Sequence, residues 1–86
     1  MSDHNAAWQE VQACKTLFQV HEALGRLRPS ATADVARWRA YRLRSAKAYE
    51  WIADVDRGHH HEALYWARRE REQASQNTTG GGADRS

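Results

Sequence analysis

Pro29 is the only proline in the chain, and of the five glycines only Gly25 and Gly58 precede the run Gly80-Gly81-Gly82. Proline inside a helix removes a hydrogen bond and clashes with the preceding turn, and glycine weakens a helix interior by roughly 1 kcal/mol. With so few breakers, long stretches remain in which helices can grow, and apolar residues recur in them at helical spacing. Ala7, Val11, Cys14, Leu17, Phe18, His21 and Leu24 form one stripe, with Gln12, Lys15, Gln19, Glu22 and Arg26 on the other side. This pattern predicts a first helix over residues 6–27, capped by Asp3 or Asn5, weakened at Gly25 and stopped by Pro29.

A second helix is expected over residues 32–57, capped by Ser30 or Thr32, with Asp34 in its first turn. Its buried stripe reads Trp38, Tyr41, Ser45, Tyr49, Ile52, with Val35, Ala48 and Ala53 on the flanks. Gly58 follows as a left-handed C′ residue. A third helix over residues 60–74 turns His60, Ala63, Leu64, Ala67 and Ala74 inward, and its alanines permit close approach of the second helix. No strand pattern and no internal repeat occurs. Short connections make consecutive helices antiparallel neighbours. The expected fold is therefore all-α: a three-helix bundle with a long second helix, one domain over residues 1–75, and a small, polar, disordered C-terminal tail over 76–86.

A chain of 86 residues, 41% hydrophobic and 28% charged, is globular, but its core is marginal. Such proteins lean on a partner, a metal or a second copy. Cys14, the single cysteine, cannot form an internal disulfide, so a reducing compartment is expected. The start, Met1-Ser2-Asp3-His4-Asn5, has no signal-peptide pattern, and no apolar run approaches the roughly 20 residues that span a bilayer. A cytoplasmic protein with no membrane association is the expectation.

Gly58-His59-His60-His61-Glu62-Ala63-Leu64 resembles the turn of a tetratricopeptide hairpin, which implies a helix–turn–helix hairpin and nothing further. A wider resemblance rests on two blocks, His21-Glu22-Ala23-Leu24-Gly25-Arg26-Leu27-Arg28-Pro29 and Asp56-Arg57-Gly58-His59-His60-His61-Glu62-Ala63-Leu64-Tyr65-Trp66-Ala67. They resemble a family of short actinobacterial proteins of unassigned function. That resemblance implies a cytoplasmic protein of a high-GC bacterium and carries no functional residue over.

Three features bear on chemistry. His59, His60, His61 and Glu62 are metal-ligating types, but adjacent helical positions diverge by about 100°, so the three imidazoles cannot chelate one ion together. Their alternative role is structural, with His60 against the second helix and His59 and His61 near Asp54 or Asp56. Arg37, Arg39, Arg42, Arg44 and Lys47 lie in a segment whose only acid is Asp34, which suits phosphate contact by the second helix. Against this, those arginines point around the helix. Finally, four tryptophans are too many for a small bundle to hide. Trp51, Trp66, Tyr65 and Arg44 are the candidate partner-binding residues, because exposed tryptophan beside arginine anchors interfaces. No nucleophile–base pair, glycine-rich phosphate loop or carboxylate pair suggests an enzyme, and no cofactor is implied. The leading expectation is a non-catalytic interaction or regulatory module with a protein partner or a second copy. The alternatives are a small DNA-binding regulator and a metal-binding protein.

Overall fold

The computed structural model of the chain describes residues 2–79, and its side chains over 6–76. It is all-helical, with no strand among the described residues. Four α-helices run in the order α1 (Ser2–Gln12), α2 (Leu17–Arg26), α3 (Val35–Val55) and α4 (His60–Thr79), with a single 3-10 turn, Arg57–His59, between the last two. The long helix and the break at Gly58 fall where the sequence places them. The first expected helix, however, is two helices.

That break is made by hydrogen bonds. Thr16 takes an extended backbone and caps α2, its Oγ1 accepting from the amide of Gln19 at 3.1 Å. The Gln19 side chain reciprocates, with Oε1 accepting from the amide of Lys15 at 2.7 Å. This is close to a capping box, with the return bond displaced by one residue. The amide of Leu17 donates to Asp56 Oδ2 at 2.9 Å, across 39 positions of sequence. The turn also changes the phase of the apolar stripe. α2 buries Leu17, Val20, Ala23 and Leu24, while Phe18 is 68% exposed. Phe18 was expected in the core, and the bend is the reason it lies outside.

α3 starts later than expected. The segment 30–33 closes a turn, with Ala33 N–H donating to Ser30 O at 2.9 Å and the Ser30 and Thr32 hydroxyls 3.0 Å apart. With both hydroxyls held in that turn, Asp34 becomes the N-cap, and its Oδ1 accepts from the amide of Arg37 at 2.9 Å. Gly58 sits in the 3-10 turn without a left-handed backbone; the expected C′ geometry is replaced by Asp56, whose amide donates to Ile52 O.

α3 and α4 form an antiparallel hairpin with the most extensive contact in the molecule. Ala46 and Ala53 on one arm, and Ala63, Ala67 and Ala74 on the other, are all 3% exposed or less. Small side chains at the seam let the backbones approach, as the alanine stripe suggested. Leu64, expected inward, is 37% exposed, because the seam is filled by the alanines one and three positions away. The arms have 21 and 20 residues, so α4 runs on to Thr79 beside the start of α3. The tail expected from residue 76 therefore begins as helix through residue 79; residues 80–86 lie outside the described residues.

α1 and α2 lie across this hairpin as a second layer. The molecule measures 39 × 33 × 14 Å, and the shortest extent matches two layers of helix axes about 8–10 Å apart. Trp8, Val11, Leu17, Val20 and Leu24 from the upper layer meet Tyr41, Tyr49 and Ile52 from α3 in one core. Two more polar ties join the layers, beside the bond from the Leu17 amide to Asp56. Tyr41 donates its hydroxyl to Leu24 O at 2.8 Å, near the end of α2. Tyr49 Oη meets His21 Nδ1 at 2.8 Å.

Candidate interaction surface

The edge of α3 that faces α1 carries Arg37, Ala40, Arg44, Lys47 and Trp51, three or four residues apart and hence on one side of the helix. α1 lies on this edge through Trp8, which is 5% exposed. Trp8 meets Tyr41 with ring centroids 6.2 Å apart, and the Arg44 guanidinium covers its ring at 4.6 Å. A guanidinium over an indole face is an attractive contact, and it leaves the other donors of the fork free to meet an anion.

An open cleft lies on each side of Trp8. One, of about 410 Å3, runs between Leu27, Pro29, Arg37, Ala40, Tyr41 and Arg44. The other, of about 460 Å3, is bounded by Val11 and Gln12 of α1 and by Arg44, Lys47, Ala48 and Trp51 of α3. Both have apolar floors and cationic rims. Trp51 is 38% exposed, and Val55, one turn further on, is 41% exposed.

The four residues singled out as partner contacts do not form one patch. Arg44 and Trp51 line the same cleft. Trp66 is half-buried on α4, stacked on Tyr49 at 6.3 Å and edge-on to His21 at 5.1 Å. Tyr65 is exposed and leans edge-on against Trp66 at 5.3 Å. Trp66 closes the seam between α2 and the hairpin. Trp8 was not among the partner contacts expected from the sequence, yet both clefts open beside it. The signal for it was Ala7-Trp8 and Val11 at helical spacing beside a second helix whose Arg44 and Trp51 repeat every seven residues.

The basic segment also divides. Arg37, Arg44 and Lys47 share the α1-facing edge, whereas Arg42 points to α4 and pairs with Glu70 at 3.1 Å, both side chains largely shielded. Arg42 also lies over Trp38 at 5.1 Å, and Arg28 approaches the same ring at 5.4 Å. Arg39 is exposed.

The three histidines of the 59–61 run go to three places. His59 Nδ1 donates to Asp56 Oδ2 at 2.8 Å, and since a carboxylate only accepts, Nδ1 carries a proton. His60 Nδ1 donates to Ala53 O at 2.9 Å, pinning the start of α4 to the end of α3. His61 is exposed, edge-on to His60 at 5.2 Å, and Glu62 is exposed. Among the described residues, no group of three metal-ligating side chains converges. Asp56 holds both the Leu17 amide and the His59 imidazole, and these donors keep its carboxyl below the usual range, the backbone bond being the larger cause. Burial lowers the pKa of His21, against the opposing pull of Glu62 and Glu70. Burial likewise raises Cys14, whose thiol donates to Glu10 O at 3.3 Å, so it stays protonated. The side chain of His4 lies outside the described residues.

No helix among the described residues is long and apolar enough to cross a membrane. No family model matches the chain, and no curated protein or solved structure is significantly similar to it.

Proposed function

We propose that the chain is a non-catalytic interaction module that receives an acidic segment of a protein partner on the α1-facing edge of α3. The observation that supports this is the cleft between α1 and α3, where half-exposed Trp51 stands beside Arg44 and Lys47 over an apolar floor. An indole and a guanidinium at the centre of a cleft are the side chains that most often dominate interface energy. The cationic rim selects carboxylates, and the floor accepts an apolar anchor. A bacterial cytoplasm as its location is part of this proposal, and is what the resemblance of residues 56–67 to short actinobacterial proteins implies.

A second reading, binding to DNA, is favoured by one observation: Arg37, Arg44 and Lys47 share an edge and can meet successive phosphates. Arg42, included earlier in that set, is held by Glu70 and Trp38 instead.

The test uses the wild-type chain and a Trp51→Ala/Lys47→Glu variant as bait in extract of the native host, with and without nuclease. The module reading expects a protein that survives nuclease, is retained by the wild type, and is lost from a variant with the same melting temperature. Retention that nuclease abolishes and that falls steeply with salt transfers the edge to the DNA reading. Equal retention by both baits overturns the assignment of this cleft.

A further inference from the structure

The bend between α1 and α2 has no breaker in it. Residues 13–16 are Ala13-Cys14-Lys15-Thr16, without glycine or proline. Helical bonding persists into it, with the amide of Ala13 on Gln9 O and that of Cys14 on Val11 O, each at 3.1 Å. Beyond Cys14, three amides depart from the helical ladder. Lys15 donates to the Gln19 side chain, Gln19 to the Thr16 hydroxyl, and Leu17 to Asp56. In a straight helix these amides would donate to the carbonyls of Val11, Lys15 and Ala13. The bent and straight forms thus satisfy the same donors by different acceptors.

The apolar pattern also fits both forms. Ala7, Val11, Cys14, Phe18 and His21 continue one stripe through the bend when the helix is straight. In the bent form Phe18 falls out of it and is 68% exposed. Meanwhile the docking of α1 onto α3 rests on Trp8 and Val11, between two open clefts.

We propose that residues 13–16 are a hinge on which α1 is exchanged between two copies of this chain. In the exchanged dimer α1 and α2 form one straight helix. It carries Trp8 and Val11 out of their own fold and onto the α3 edge of a second copy, beneath that copy's Arg44. The occupant is identified by what already fills the site: α1 fits this edge in the folded chain, and a second copy supplies an identical α1. The contacts of Trp8 are then made between copies. What differs is the connection, where three bonds to side chains are replaced by helical bonds and Phe18 rejoins its stripe. Because one form is tethered and the other is bimolecular, concentration decides between them. This goes beyond the interaction reading and is independent of it, since the cleft beside Trp51 is present in both forms.

Sedimentation of the purified chain over a concentration series decides the matter. The monomer mass is 9.9 kDa, and exchange doubles it. A Thr16→Ala/Gln19→Ala variant loses two of the three acceptors that hold the bend. Because each of the two chains loses its cap, the variant's dimerisation midpoint should fall roughly tenfold or more below that of the wild type. Inserting two glycines between Cys14 and Lys15 lets α1 fold back but breaks the straight helix, so this variant should stay at the monomer mass with an unchanged melt. A double variant that is helical by circular dichroism yet dimerises no more readily than the wild type overturns the proposal. So does a dimer that survives the glycine insertion. If the double variant loses its helicity, the other two chains suffice: a wild-type dimer abolished by the insertion supports exchange, and a wild type that stays monomeric to millimolar concentration refutes it.

Discussion

Asp56 is the side chain on which the most separate features converge. It ends α3, caps the amide of Leu17 at the start of α2, and holds His59 in the turn to α4. Its carboxyl is held below the usual range by the Leu17 amide first and by His59 second. A carboxyl lowered by folding contributes stability that is complete above its unfolded value and is lost as pH falls through the lowered folded value. His21 adds to this in the same direction. Burial lowers its pKa, so folding favours the neutral imidazole, and stability is lost as pH falls and the ring must charge. The wild type should therefore lose melting temperature in two acid steps, the first near and below the ordinary histidine range, the second below the ordinary aspartate range. In Asp56→Asn the lower step should shrink while the upper one stays. Thermal melts at closely spaced pH values check this; an Asp56→Asn profile parallel to the wild type throughout would disprove the role of the carboxylate.

At the level of helices, the face that each one buries follows from phase, and phase is reset at every break. In α2 the reset moves Phe18 to water and keeps Leu17, Val20 and Leu24 inside. In α3 the expected stripe holds, with Tyr41, Ser45, Tyr49 and Ile52 buried and Trp38 half-buried. Ile52 is fully buried, so Ile52→Ala should cost about 2–5 kcal/mol, a large part of what so small a domain holds. Phe18→Ala should change stability by no more than about 0.5 kcal/mol, as exposed substitutions do. Urea melts of the two variants, at a concentration low enough to keep the chain monomeric, measure the contrast. A Phe18→Ala variant as damaged as Ile52→Ala would place Phe18 back in the core.

Across the whole molecule, the hairpin of α3 and α4 is the platform on which α1 and α2 are laid. Its alanine seam allows close approach but says little about alignment, since one alanine is much like the next. The Arg42–Glu70 pair, shielded and set in that seam, gives the register a chemical mark. Removing one partner leaves the other charge shielded and unpaired, so Glu70→Ala should destabilise by about 3 kcal/mol or more. Replacing both, as Arg42→Met/Glu70→Leu, should recover much of that loss. Chemical denaturation of the three proteins gives the comparison. Equal stability of Glu70→Ala and the wild type would mean that the pair is solvated and contributes nothing.

Helix content, the stop at Pro29, the break at Gly58 and the alanine seam were legible in the sequence, because helical spacing, proline and small residues act within a few positions. So was His60 against the long helix. The division of the first helix was not, because no breaker marks residues 13–16. The bend depends on Asp56, 39 positions away, and a bond of that span exists only once the hairpin has folded. The same holds for the candidate site. Arg44, Lys47 and Trp51 were visible as residue types, but the basic residues read as pointing around the helix rather than along one side. Only the placement of Trp8 under Arg44 made one edge of α3 a pair of clefts, and only the pairing with Glu70 withdrew Arg42 from the basic edge. Local pattern decides which residues are helical. Long-range hydrogen bonds and packing decide where each helix stops and which of its side chains is left to meet another molecule.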